Sequence, residues 1–352
     1  MIFQCRRAVW REDVVLENPV VQNSFDMTGK YSISTSDEEP HNDYIGSLYE
    51  YSHRTLSLDS DILNAFGGIS KILFERMNEG KLTDIKSVFG LPAIVFDWAL
   101  LWQPNKTAHR RQSGWPSWSW CGWSGGVSML LSNFTYSELQ DWLHNHTWID
   151  WITYSADGRS SACIPSHYTC QPNETHWRTL TCQPPVKRQP HEVLAIEGSC
   201  VSSHQDMVSQ QSPPFFDPAE LLPLLHFAAP TVKLYLGAAD ILGSDEKQDR
   251  CYKIYDAMNT PCGIIWINAA WLHCPDQAYE FIVLSDARSK EMRKDLLPPS
   301  EFDSEWDSYH VMLVNVASER ITIERIAVGV VYQEALNRAV DPGVRWKEIW
   351  LR

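Results

Sequence analysis

Trp115, Trp118, Trp120 and Trp123 fall within nine residues, in the stretch His109–Val127 reading HRRQSGWPSWSWCGWSGGV. Four indoles this close together bring more apolar surface than one exposed loop can carry. Read as extended backbone, Ser117–Cys121 turns Trp118 and Trp120 to one face and Ser117, Ser119 and Cys121 to the other. Such a face needs a large apolar partner, so the stretch is expected to form a seam between two packed layers. Gly122, Gly125 and Gly126 allow a sharp exit from it.

The rest of the chain sets the size of those layers. Its 352 residues can bury a sizeable core and suggest about two domains. The 16 tryptophans imply an aromatic-rich core or several aromatic seams. A balance of 30 basic against 44 acidic side chains, net −14, repels phosphate backbones and anionic membranes, which argues against a nucleic-acid partner. No apolar run reaches membrane-spanning length; Ile94–Trp102 is too short and contains Asp97. Nine cysteines at irregular spacing, with charges where a signal peptide needs its apolar region, read as reduced thiols in a cytoplasmic protein.

Taken in order, Met1–Cys5 reads as a strand without a partner, and 17–43 as a polar loop. Helical periodicity begins at Tyr44, with Ile45, Leu48 and Tyr49 on one face. A second helix follows Asp59 and Asp61, where the macrodipole favours carboxylates, and buries Ile62, Phe66, Ile69 and Leu73. Its Gly67-Gly68 pair predicts close packing of another element. Val88–Pro92 is a turn. Ile94–Trp102 is a short helix with Ile94, Trp98 and Leu101 inward and Asp97 opposite. Beyond 127 the pattern turns to strands at Val193–Val201, Thr231–Gly237, Cys251–Asp256, Gly263–Ala269, Glu280–Asp286, His310–Ala317 and Ile321–Tyr332. Val232, Leu234 and Leu236 face one way. The expected fold is α+β, a helical N-terminal third packed on a larger β-sandwich or distorted barrel. The expected division is 1–126, ending with the tryptophan motif, and 127–352, strand-rich with long loops.

Arg110-Arg111 followed by Pro116-Ser117-Trp118-Ser119-Trp120-Cys121-Gly122-Trp123 resembles the PSWSWAGW signature of fungal heterokaryon incompatibility (HET) domain proteins. Tyr51–Leu56 with Asp61–Phe66, Gly90-Leu91-Pro92 with Leu100-Leu101-Trp102, and Val311–Leu313 with Arg325–Gly329 resemble flanking segments of that family. The family's defining HET domain starts with an LSYVWG-like segment and ends with a WTFQE-like one. Here only Phe3-Gln4-Cys5 and Glu12-Asp13 are similar to the last part of it, so the chain looks like the portion that follows the HET domain. The resemblance implies vegetative incompatibility, nonself recognition linked to programmed cell death, with protein partners and no cofactor. It also implies a structural role for Arg110, Arg111, Pro116, Ser117, Trp118, Ser119, Trp120, Gly122 and Trp123.

Three chemical readings compete with that one. Gly122-Trp123-Ser124-Gly125-Gly126 satisfies G-x-S-x-G, the nucleophile elbow of a serine hydrolase, but no clear helix follows it and a glycine turn explains it as well. Cys121 could serve as a thiol nucleophile; the family commonly has alanine there, so a small buried thiol is the simpler reading. Cys163, His167, Cys170, His176 and Cys182 could hold zinc in a zinc-stabilised interaction module, though their spacing lacks a tight Cys-x₂₋₄-Cys knuckle. No catalytic, cofactor or metal residue is assigned. The expected protein is non-enzymatic and acts through protein interaction.

Overall fold

The structure is a computed structural model, and it describes residues 2–5, 8–11, 39–56, 58–78, 87–105, 108–111, 114–131, 134–155, 160–164, 223–240, 251–267, 277–288, 297, 305–315 and 322–352. Its contacts divide the chain into Met1–Thr35 and Ser36–Arg352. The first unit holds a hairpin, β1 (Ile2–Cys5) antiparallel to β2 (Ala8–Arg11). The strand expected to lack a partner therefore has one. The expected strand Val193–Val201 lies outside the described residues.

The second unit is mixed α+β and opens with helices. Helix α1 (Pro40–Ser52) starts on a proline, whose missing N–H costs nothing in a first turn. It buries Tyr44, Leu48 and Tyr51; Tyr49 is 43% exposed, so the inward face is rotated from the expected one. Helix α2 (Ile62–Met77) buries Ile62, Phe66 and Leu73, with Ile69 half-buried. Among the described residues nothing packs closely on Gly67 or Gly68, so the expected close neighbour is not found there. Strands β3 (Ser87–Val88) and β4 (Leu91–Pro92) form a tight hairpin through Phe89 and Gly90, both at positive φ, as a two-residue hairpin turn requires.

A 3₁₀ turn at Ala93–Val95 leads into α3 (Phe96–Ala99). Two short pairings then frame the tryptophan stretch. β5 (Trp102–Pro104) pairs with β8 (Val127–Met129), and β6 (His109–Arg110) pairs with β7 (Trp123–Ser124). Helix α4 (Tyr136–Asn145) follows, started by a capping box in which Thr135 and Glu138 bond each other's backbone N–H.

Among the described residues the remaining strands form one nine-stranded sheet. They are β9 (Ile152–Tyr154), β10 (Ser161–Cys163), β11 (Leu224–Asp240), β12 (Cys251–Tyr255), β13 (Pro261–Trp266), β14 (Ala278–Ala287), β15 (Ser308–Asn315), β16 (Glu324–Tyr332) and β17 (Val340–Leu351). A short helix α5 (Glu334–Asn337) joins the last two. β11 is long enough to change neighbours along its length. Its first half pairs with β9 and β17, and its second half with β14 and β12. The antiparallel sequence β11, β12, β13, β16, β15, β14 consequently returns to β11 and closes a ring. Val232, Leu234 and Leu236 face one apolar core with Ile254, Phe281, Val311 and Val331. The alternate residues Ile282, Met312 and Val328 join a second core with the helices, as do Leu225 and Phe227. No helix among the described residues is long and apolar enough to cross a membrane.

Candidate functional site

The tryptophan stretch lies inside the second core, between the helical layer and the sheet. Trp118, Trp120 and Trp123 share one cluster with Tyr44, Phe66 and Leu73 of the helices and with Phe227, Met312 and Val328 of the sheet. Its backbone is not the expected strand. Residues 117–119 turn, and Trp120–Gly122 is a single 3₁₀ turn before β7. Ser119 caps that turn: its hydroxyl accepts from the N–H of Cys121 at 3.2 Å and donates to the carbonyl of Phe89 at 2.6 Å. The serine side chains thus replace ladder bonds that a strand would have needed. They are not a solvent face, since Ser117, Ser119 and Cys121 are all buried.

Because the backbone turns, the two central indoles reach different partners. Trp118 meets Phe89 and Phe96 edge-on, at 5.4 and 6.3 Å. Trp120 meets Phe66 and Tyr51 at 5.1 and 6.1 Å, and its Nε1 donates to the carbonyl of Gly90 at 3.2 Å. A Cβ on Gly90 would lie 2.7 Å from the Trp120 ring, so the hairpin tip and the motif fit only without one. Trp123 donates to the carbonyl of Ser117 at 3.1 Å, and Trp115 is half-buried against Phe89.

Arginines hold the loop that carries these rings. Arg110 donates to the carbonyls of Gly122 at 2.7 Å and Trp115 at 3.0 Å, with the carbonyl of Pro116 at 3.4 Å. Its guanidinium lies over the Trp123 ring at 5.6 Å. A side chain at Gly122 would collide with Arg110 and with the carbonyl of Pro116. Arg111 donates through Nε to the carbonyl of Trp123 at 3.0 Å and pairs with Asp59. A planar fork with several donors suits a loop of free carbonyls better than an ammonium. Ser117 ties the loop to the sheet, bonding the carbonyl of Arg352 through its own N–H at 3.0 Å and accepting from the N–H of Arg325 at 2.9 Å.

Arg325 belongs to this site, although its sequence pattern shows only one residue of the strand expected over Ile321–Tyr332. It is fully buried in β16, donates to the carbonyls of Leu100 and Trp102, and lies 3.8 Å from the Trp102 ring centre. Burial lowers its pKa well below the ordinary value. An arginine in an otherwise apolar strand was the available signal. Asp97 was also misplaced, because it is buried and accepts from Trp151 Nε1 at 2.9 Å.

Ser124 sits in the two-residue β7 opposite His109 and is followed by Gly125 and Gly126 at positive φ and then by β8. An elbow needs a strand running into a helix, which this segment lacks. No described hydrogen bond joins the Ser124 hydroxyl to a histidine or carboxylate. We expect no labelling of the native protein by a serine-directed fluorophosphonate; labelling abolished by Ser124→Ala would make Ser124 a nucleophile. Burial pushes the Cys121 thiol up to about 12, which keeps it from forming the reactive thiolate. Of the five cysteines and histidines weighed for zinc, Cys163 ends β10, and His167, Cys170, His176 and Cys182 lie outside the described residues. Among the described residues no three His, Cys, Asp or Glu side chains converge as metal ligands.

What the motif does chemically is therefore internal. Apart from the Trp118 indole N–H, which has no partner among the described residues, its side-chain donors described above go to its own carbonyls, to those of the hairpin and to Asp59. No family model matches the chain, and comparison with curated proteins and with solved structures also finds no match.

Proposed function

We propose that this chain is the regulatory or recognition portion of a heterokaryon-incompatibility-type protein, acting in the cytoplasm without catalysis, through contacts with protein partners. Of the two sheet architectures left open by the sequence, we take the distorted barrel, which the ring closed at β11 supports.

One observation carries the reading. The residues that resemble the family signature are the ones that bind the helical layer to the sheet: Arg110, Ser117, Trp118, Ser119, Trp120, Gly122 and Trp123 each make a buried contact within the chain. A signature of this kind marks a shared fold, and function is then carried by the surfaces that the fold presents. The test is deletion of the coding sequence from a fungal strain that carries it, followed by fusion with unlike strains and scoring of dead fusion cells with a vital dye. Loss of the death response, restored by the wild-type chain, is the expected result. Undiminished death in every pairing would overturn the reading.

A further inference from the structure

Strand β17 pairs along one side with β11, and its other side is an edge of the sheet among the described residues. Bonds at its end show which backbone groups face that edge. Ile323 forms a parallel bridge with Leu351. Its N–H donates to the carbonyl of Trp350 and its carbonyl accepts from the N–H of Arg352, both at 2.9 Å. The backbone groups of Trp350 and Arg352 therefore point outward, and alternation gives the same direction to Val344, Trp346 and Glu348. The carbonyl of Arg345 points the other way, to β11, where it accepts from the Thr231 hydroxyl at 3.2 Å. Neither Val344 nor Glu348 has a backbone partner on the outer side among the described residues. Ile323 thus fills only one end of this edge.

The side chains beside this edge are cationic and reach solvent. Register with β11 places Arg345 and Lys347 on the face of Thr231 and Ala229, and Lys233 and Glu280 continue that face. Arg345, Lys347 and Lys233 are exposed. Lys347 pairs with Glu280, and neither Arg345 nor Lys233 has a side-chain partner among the described residues. Cations grouped around a single acid run against the net charge of −14. A charged edge repels strands of its own kind. Antiparallel pairing of two copies centred on Trp346 would set Arg345 of each against Lys347 of the other, and like charges directly opposite are destabilising. An extended segment bearing carboxylates meets no such obstacle.

We propose that the outer edge of β17, over 344–348, docks an extended segment of a protein partner that carries Asp or Glu at alternate positions and adds to the sheet as a further strand. Main-chain bonds to the outward groups of Val344 and Glu348 supply affinity, and carboxylates facing Arg345 and Lys347 supply selection. Lys233 adds to the positive potential of that face. The site gives a surface to the partner contacts of the proposed function and rests on that part of the reading.

The test is fluorescence anisotropy of a labelled, blocked Thr-Glu-Val-Glu-Val-Glu-Thr peptide titrated with the full chain. A scrambled peptide with its glutamates adjacent is expected to bind at least about tenfold more weakly. Two N-methylated forms, one methylated at the glutamates and the other at the valines, separate strand addition from charge attraction. Each loses donors on one edge only, so one form is expected to lose binding and the other to keep it. Arg345→Glu, at an exposed position, is expected to weaken binding about tenfold and to leave the melting temperature unchanged. If that variant fails to fold, the N-methylated peptides decide on the native chain. The fusion-cell assay uses no peptide, so failure of this site and failure of the incompatibility reading are scored separately. No binding up to roughly 1 mM, equal binding of both N-methylated forms, or undiminished binding to Arg345→Glu would each overturn the proposal. So would a dimer in sedimentation that Val344→Pro dissociates, since the edge would then belong to a second copy.

Discussion

Trp118→Ala is expected to destabilise the folded chain by about 3–5 kcal/mol. Trp118 is fully buried between Phe89 and Phe96. Truncation removes its transfer free energy and leaves a cavity that two flanking rings, each fixed by other neighbours, close only in part. Its indole N–H has no hydrogen-bond partner among the described residues, so no polar bond is lost and packing sets the whole effect. The backbone bond at this position, Trp102 Nε1 to the carbonyl of Trp118 at 3.0 Å, does not depend on the side chain. Trp115→Ala is the control, since Trp115 is half-buried and should cost well under half as much. The measurement is the urea midpoint of each variant, with refolding checked. An unchanged midpoint for Trp118→Ala would remove this indole from the core and the motif from its role as a seam. A loss of this size is a large fraction of the stability of an ordinary domain, typically about 5–15 kcal/mol.

Residues whose surroundings follow from their own periodicity were legible before the structure. The alternation of Val232, Leu234 and Leu236 gave both a strand and its buried face. Ile62, Phe66 and Leu73 gave a helix and its inward stripe. The tryptophans gave a core seam, because no other environment accommodates so many indoles. What local pattern could not supply was the identity of a distant partner. Asp97 looks like the outward residue of a helix until Trp151, far along the chain, donates to it. Arg325 looks like an interruption in a strand until the carbonyls of Leu100 and Trp102 receive it. Ser117–Cys121 alternates like a strand, but its serines take up the polar bonds that strand pairing would have made.

Strand β17 was missed for a related reason. It contains Asp341-Pro342-Gly343, which reads as a turn, and its outward residues Arg345 and Lys347 are polar. Its place is set by a long register against β11, from Leu225↔Leu351 to Lys233↔Val340, which no local pattern encodes. The same register stacks Trp350 on His226, a contact equally invisible in the sequence.

Asp97→Asn is expected to make the stability of the chain less dependent on pH, with a gain at neutral and alkaline pH of up to about 4 kcal/mol. Burial is the main cause, raising the Asp97 carboxyl from 3.8 to about 7; nearby Asp150 adds a smaller push, and the bond from Trp151 opposes both. The folded state therefore holds a proton that the unfolded state gives up. Below about pH 4 both states are protonated and burial of Asp97 is least costly. As pH rises from about 4 to about 7 the unfolded state binds fewer protons than the folded one, so stability falls, and above about 7 the penalty is constant. Asparagine mimics the protonated acid, and its Oδ1 can still accept from Trp151 Nε1. The difference between variant and wild type should thus be near zero at pH 4, grow through the interval, and level off near pH 8. Asp150, itself raised to about 6, gives the same sense of slope in both proteins, so the difference between them is the readout. Urea midpoints at several pH values between 4 and 8 measure it. A difference that does not change with pH would mean that Asp97 stays ionised throughout, and that the Asp97–Trp151 bond joins a charge, not a neutral acid, to the core.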